Sequence, residues 1–344
     1  MNKKHFNKLS NRRPMKIMVL LLVILFLTIF ISILLGRYGV FFSETIKILF
    51  STFLPIKQTW TENMAISVIN IRLPRILMAC LVGGCLAVAG TAYQSVFQNP
   101  MAAPDILGAS SGACFGAALA ILLGMPGALV TLFAFISSLI TIVLVYIIGI
   151  RTRGNQIVNI LLAGIMIGSI FSAGTSFVKL VADPSNQLPA ITYWLMGSLS
   201  GTRMADVKFV VVPMIIGILP IYIIRWKMNI LTLGEEEAKS LGVNIKRLRL
   251  VVILGATFIT AASVSVSGMI GWVGLVIPHM SRRLVGNDNR YLVPTSMLFG
   301  AIFLLIVDDV SRNLLPTEIP IGILTAFIGA PFFLYLMTGK GERR

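Results

Sequence analysis

The chain has 344 residues, of which 56% are hydrophobic and 12% charged, with a mean hydropathy of +0.90. Soluble globular domains carry about 25% charged residues, so a soluble fold is excluded. The formal net charge of +16 raises the question of nucleic acid, but the placement of the cations assigns it to a membrane surface, and no nucleic-acid partner is expected.

The first element is a basic segment, 1–16, with Lys3, Lys4, His5, Lys8, Arg12, Arg13 and Lys16. The run Ile17 to Leu35 follows without a charge, long enough to cross a hydrocarbon core that needs about 20 helical residues. It is longer than a secretory h-region and ends in Leu34-Leu35-Gly36-Arg37-Tyr38, with no small-residue cleavage pattern. It is therefore expected to be a retained helix. Further spans are expected near 74–96, 108–124, 127–149, 157–179, 207–225, 249–269, 271–285, 293–309 and 321–338. This gives an all-α polytopic membrane protein of about ten transmembrane helices. One permease-like domain covers 17–338, and 339–344 forms a short tail.

Ten spans put both termini on one side. Most of the 29 Lys and Arg residues then fall in segments facing the cytoplasm: 1–16, Arg151 and Arg153, 225–249, 282–290 and the C-terminus. Acidic residues are divided almost evenly. The expected location is a bacterial inner membrane, multi-pass, with both termini cytoplasmic and lipid as a partner.

No active-site pattern accompanies these spans. Cys80, Cys85 and Cys114 match no zinc spacing, and His5 and His279 have no ligand or nucleophile pattern around them. There is no P-loop, G-x-S-x-G or H-E-x-x-H. No carboxylate pair lies deep in an apolar span, where ion-coupled carriers place their coupling groups. Asp308 and Asp309 end a span at the outer interface and are read as caps for the following segment, not metal ligands. Neither a cofactor nor enzymatic activity of the chain itself is expected, and energy for transport has to come from another subunit.

Two segments resemble each other. Residues 87–108, AVAGTAYQSVFQNPMAAPDILG, align with 265–286, SVSGMIGWVGLVIPHMSRRLVG, so that Gly90, Pro100 and Gly108 match Gly268, Pro278 and Gly286 at a constant offset of 178. Five spans separate them, so the copies run in opposite directions, as in the inverted repeats of transporters. Asn99, Pro100, Pro104, Gly108, Pro278 and Gly286 are expected to break helices in re-entrant segments turned away from lipid. The run Gly108 to Ala113 favours close helix approach.

The inner loop, about 226–248, contains LTLGEEEAKSLGVNIKRLR. Its glutamates suit a helix start and Gly242 a helix end two turns later. Glu236-Glu237-Ala238-x-x-x-Gly242 resembles the E-A-A-x-x-x-G coupling motif of ABC importer permeases. Three longer stretches strengthen this: RLPRILMACLVGGCLAVAGTAYQSVFQNPMAAPDILGASSGA, SGMIGWVGLVIPHMSRRLVG and DDVSRNLLPTEIPIGILTAFIGAPFF. Together they closely resemble the FecCD-like permeases that import iron siderophores, haem and vitamin B12, over roughly residues 64 to 338.

The resemblance implies a permease that pairs with a second copy or a paralogue, two cytoplasmic ABC ATPases and an extracytoplasmic solute-binding protein. It implies an iron-siderophore cargo, with haem or vitamin B12 as alternatives, and a path lined by about 157–179 and 321–338. Glu236, Glu237, Ala238 and Gly242 would form the ATPase-coupling helix. Arg72, Arg75 and Arg312 would be outward-facing cations that pair with carboxylates of the binding protein. A secondary transporter is the rival class; it would share the repeat but have no use for the coupling loop.

Overall fold

The computed structural model describes residues 3–51, 54–232, 238 and 240–338, with the backbone alone at 3–12, 232 and 336–338. The helices follow the apolar runs. They are α1 (Lys3–Leu34), α2 (Phe42–Ser51), α3 (Glu62–Ala65), α4 (Leu73–Phe97), α5 (Ala109–Leu122), α6 (Gly127–Arg151) and α7 (Gln156–Val181). Then come α8 (Gln187–Leu195), α9 (Met204–Ile224), α10 (Ile245–Ser267), α11 (Val273–Val285), α12 (Asn289–Asn313) and α13 (Ile321–Thr338). A π-helical stretch, Ile66–Arg72, joins α3 to α4, and 3-10 turns cover Pro104–Leu107 and Lys227–Thr232. No strand occurs among the described residues. The basic segment expected as a tail is instead the first turns of α1.

Local chemistry sets several helix starts. Asn155, Asn244 and Asp288 each accept a backbone N–H of the helix they precede, from Ile157, Arg247 and Arg290 respectively, satisfying donors that have no intrahelical partner.

Among the described residues, seven helices are long and apolar enough to cross a membrane alone, against ten spans read from sequence. The other three expected spans correspond to α5, α11 and α13. At 1.5 Å per residue, α5 and α11 reach only about 20 Å, short of a ~30 Å hydrocarbon core. A helix enclosed by protein need not span the whole core, and Ala109, Ala113, Ala117 and Ala120 of α5 are fully buried.

Burial orders the bundle from the inside out. In the apolar windows of α3–α4, α10 and α12, 83%, 72% and 67% of residues are buried, against 11% for α1 and 22% for α7. The centre is therefore α4, packed on α12, α10, α11 and α9. Its contact with α12 is made at glycines: a Cβ on Gly83 would lie 2.3 Å from the Gly300 carbonyl oxygen, and one on Gly300 equally close to that of Gly83. Such backbone approach is how membrane helices gain packing energy where lipid supplies no hydrophobic drive.

The two similar segments differ in detail from expectation. In the first, α4 ends at Phe97, Gln98 takes a left-handed φ of 49°, and Asn99 Oδ1 accepts the Met101 N–H at 2.9 Å, a local Asx turn. Ala102, Pro104, Leu107 and Gly108 then turn inward, while Asn99 and Pro100 stay exposed at the end of the bundle. In the second, the break falls at Gly268–Trp272, and Pro278 does not break anything: α11 runs through it. Proline at 278 leaves the Gly274 carbonyl without its helical donor, and Gln94 Nε2 of α4 approaches that oxygen at 3.4 Å. Gly90 lies within α4 against Gly274, whereas Gly268 caps α10, so these two positions do not share a role. Gly108 and Gly286 both have positive φ, 75° and 82°, but their ψ angles are 7° and −168°, and Gly108 is buried at the start of α5 whereas Gly286 is exposed at the end of α11.

Candidate functional site

Functional residues expected from the sequence gather at the two ends of the bundle. One end holds the C-terminus of α1, the start of α4 and the C-terminus of α12. The other holds the 226–248 loop, the C-terminus of α4 and the start of α12.

At the first end lie Arg72, Arg75 and Arg312, and here the structure corrects the sequence reading. All three are buried, at 3%, 6% and 7% exposure, and their guanidinium groups are turned to partners within the chain. Arg75 Nε donates to both oxygens of Asp308 at 3.0 Å, its Nη2 lies 2.9 Å from Asp308 Oδ1, and Nη1 meets Glu318 at 2.9 Å. Arg72 Nη1 donates to the carbonyls of Ile33 at 2.8 Å and Leu34 at 3.2 Å, and Nη2 to that of Tyr38. Arg312 Nη2 donates to the Ser32 carbonyl at 2.7 Å and pairs with Asp309.

The physical reason is the end of α1. Its last carbonyls have no helical donors, carry the negative end of the dipole, and take up Arg72 and Arg312. Arg37, just beyond α1, donates in turn to the carbonyls of Arg312 and Leu315 at the end of α12, both at 2.8 Å. Asp308 and Asp309 are not caps of the following segment. Asp308 is fully buried on Arg75, with Arg312 3.9 Å away, and Asp309 accepts from Ser32 Oγ at 2.7 Å and from Arg312. Sequence reasoning missed Glu318 and Ser32; only the alternation of charges in Asp308-Asp309-x-x-Arg312 hinted at an internal network.

At the second end, Glu236 and Glu237 lie outside the described residues. Ala238 and Gly242 are described. Ala238 is fully buried, and its carbonyl accepts the N–H of Leu241 at 3.2 Å and of Val243 at 3.0 Å. Gly242 has φ +72° with nothing within 4 Å of where a Cβ would stand. The Val243 N–H to Ala238 carbonyl bond, with Gly242 at positive φ, is the long bond of a Schellman turn. Met228 and Leu231, both fully buried, anchor the preceding turn to the bundle.

Between the ends, α7 and α13 offer broad apolar faces that this chain does not cover. Met166, Ile170, Phe177 and Leu180 are 64–80% exposed, as are Phe327 and Tyr335 at 75% and 66%. No group of three or more potential metal ligands occurs among the described residues.

Comparison with known proteins adds the family. The model of the FecCD transport family matches residues 22–339. The molybdate import permease MolB of Haemophilus influenzae is 38% identical over 92% of this chain and 94% of its own. The Fe(3+)-citrate import permease YfmE of Bacillus subtilis is 41% identical over 79% and 82%. A solved inward-facing metal-chelate type ABC transporter superposes with a TM-score of 0.83 at 37% identity, covering 94% of this chain and 98% of that one. With a helical bundle built around glycine contacts and a glycine turn at Gly242 in the loop at one end, the chain belongs to the FecCD family of ABC importer permeases.

Proposed function

We propose that this chain is one half of a permease pair that admits an iron chelate, of the siderophore or ferric citrate kind, across the inner membrane with both termini cytoplasmic. Two cytoplasmic ABC ATPases drive it from the 226–248 loop, and an extracytoplasmic binding protein delivers the cargo to the opposite end. The exposed faces of α7 and α13 meet the second permease and leave the path between them. The observation that carries this reading is the buried Ala238 and glycine-stopped turn at Gly242, placed where a coupling helix is expected in a chain of this family. The iron cargo is favoured by the ferric citrate relative; molybdate, haem and vitamin B12 are the competing cargoes.

The binding protein is proposed to sit on the end that carries Arg72, Arg75 and Arg312. Since Arg75 and Arg312 are paired with carboxylates and Arg72 is bound to the backbone carbonyls at the end of α1, they hold that surface in shape and do not meet the partner as free cations.

Purification of the tagged chain from its native membrane tests the proposal. Recovery of an ATPase and a binding protein, with that binding protein taking ferric chelates in preference to molybdate or corrinoid, is the expected result. A binding protein selective for molybdate would overturn the cargo, and a preparation in mild detergent with nucleotide but no ATPase would favour a secondary transporter.

A further inference from the structure

The loop expected to receive the ATPase stroke touches the bundle through a small ring of polar groups. Asn229, in the 3-10 turn, donates from Nδ2 to Asp288 Oδ1 at 2.7 Å, and its Oδ1 accepts the backbone N–H of Asn289 at 2.9 Å. Asp288 at the same time caps α12, accepting from the Arg290 N–H at 2.9 Å. Asn289 is 4% exposed, and its Oδ1 accepts from Ser95 Oγ of α4 at 3.1 Å. Gln98, at the end of α4, closes the ring by donating from Nε2 to the Leu231 carbonyl, back in the turn that holds Asn229. A second strap lies alongside: Arg225 Nε donates at 3.2 Å to the Arg290 carbonyl, which Pro294 leaves without a helical donor.

The chemistry of this ring differs from the apolar packing around it. Met228 and Leu231 bury side chains that can slide against their neighbours, whereas Asn229 meets a matched acceptor and a matched donor on the first residues of another helix. The N–H of Asn289 is one of the unfilled donors of α12, and a loop side chain, not α12 itself, fills it. Displacing the loop therefore either carries the ends of α12 and α4 with it or leaves part-buried polar groups unpaired. These two helices form the glycine-to-glycine contact at the centre of the bundle.

We propose that Asn229 is the positioning residue that fastens the coupling loop to the ends of α12 and α4, so that movement of the loop is delivered to this central helix pair. This rests on the reading of the chain as an ABC permease with its ATPase at the loop.

The test uses the assembled transporter with spin labels at Ile306→Cys in α12 and Ile140→Cys in α6, both on exposed positions, in a background without the native cysteines. The label separation is measured with and without trapped ATP. Asn229→Asp places a carboxylate against Asp288 and is expected to lose the nucleotide-driven change in separation while the assembled transporter keeps its ATP hydrolysis. Asn229→Asp with Asp288→Asn reverses donor and acceptor and should regain it, since an asparagine at position 288 can still cap α12. A role confined to folding would lower hydrolysis and movement together. If Asn229→Asp fails to assemble, Ser95→Ala cuts the ring at α4 and should reduce the same change. Full movement in either variant, or no rescue by the exchange, overturns the inference. So does a wild type that hydrolyses ATP with no movement of α12, whereas a wild type that assembles with no ATPase overturns the importer reading itself.

Discussion

Replacing Arg75 by methionine removes the cation at the centre of the network between α1, α4 and α12. Arg75 makes three close contacts to Asp308 and one pair of contacts to Glu318. Asp308 has no exposed surface, and without Arg75 its nearest cation is Arg312 at 3.9 Å. Breaking a buried pair by deleting one partner costs about 3–5 kcal/mol, because the remaining charge is stranded, while replacing both partners by apolar side chains is close to neutral. Arg75→Met is therefore expected to cost about 3–5 kcal/mol, and Arg75→Met with Asp308→Leu to recover most of it. Glu318 keeps a quarter of its side chain exposed, so Glu318→Gln should cost no more than about 1 kcal/mol. Equilibrium unfolding in mixed micelles at fixed detergent composition gives the three differences. A single variant costing less than about 1 kcal/mol, or a double variant no more stable than the single, would refute the idea that the arginine is needed by a buried carboxylate.

Three further outcomes follow from local geometry. Gly242 has a left-handed φ but open space around it, so Gly242→Val should strain only the loop, by about 1–2 kcal/mol. ATP hydrolysis should then persist while uptake falls, and Gly242→Asn, which tolerates that φ, should retain uptake. Gly90→Ala is the opposite case: its Cβ would lie 1.8 Å from the Gly274 carbonyl oxygen, so α4 and α11 must separate, with a loss of about 1–3 kcal/mol or more in the same unfolding assay. In α2, the Thr59 hydroxyl and the Lys47 ammonium hold the Glu44 carboxyl below its ordinary range. Because the folded form is the more acidic, this contact is complete above the unfolded carboxylate range and is lost as pH falls through the lower folded value. Hydrogen exchange in α2, corrected for intrinsic rates, should rise there, and Glu44→Gln should remove that pH dependence.

Much of this molecule is written locally. The apolar runs name the helices, Asn99 forms the turn its side chain allows, and Gly242 takes the positive φ of a turn. What could not be read depends on contacts between residues far apart in the chain. Arg75 finds Asp308 and Glu318, and Arg72 finds the end of α1, only once three helices are packed. A sequence in which three arginines sit near span ends therefore suggests free cations, although the chain supplies its own acceptors. Pro278 misleads for a related reason: proline signals a break, but the carbonyl it frees is met by Gln94 from a different helix. Helix α5 is apolar but only 14 residues long, and apolarity alone does not separate lipid contact from burial in protein. The ring around Asn229 had no signal in the sequence, since its members are ordinary polar residues in three separate segments.

The central claim is that the loop ending at Gly242 is where a partner ATPase drives this permease. Leu241, next to that glycine, is 58% exposed and accepts a photo-crosslinking residue without disturbing the bundle. Illumination of native membranes carrying Leu241 so replaced should join the chain to a P-loop ATPase, in a yield that changes when ATP is trapped. An intact, folded chain that crosslinks to lipid or to nothing at that position, with and without nucleotide, would contradict the account.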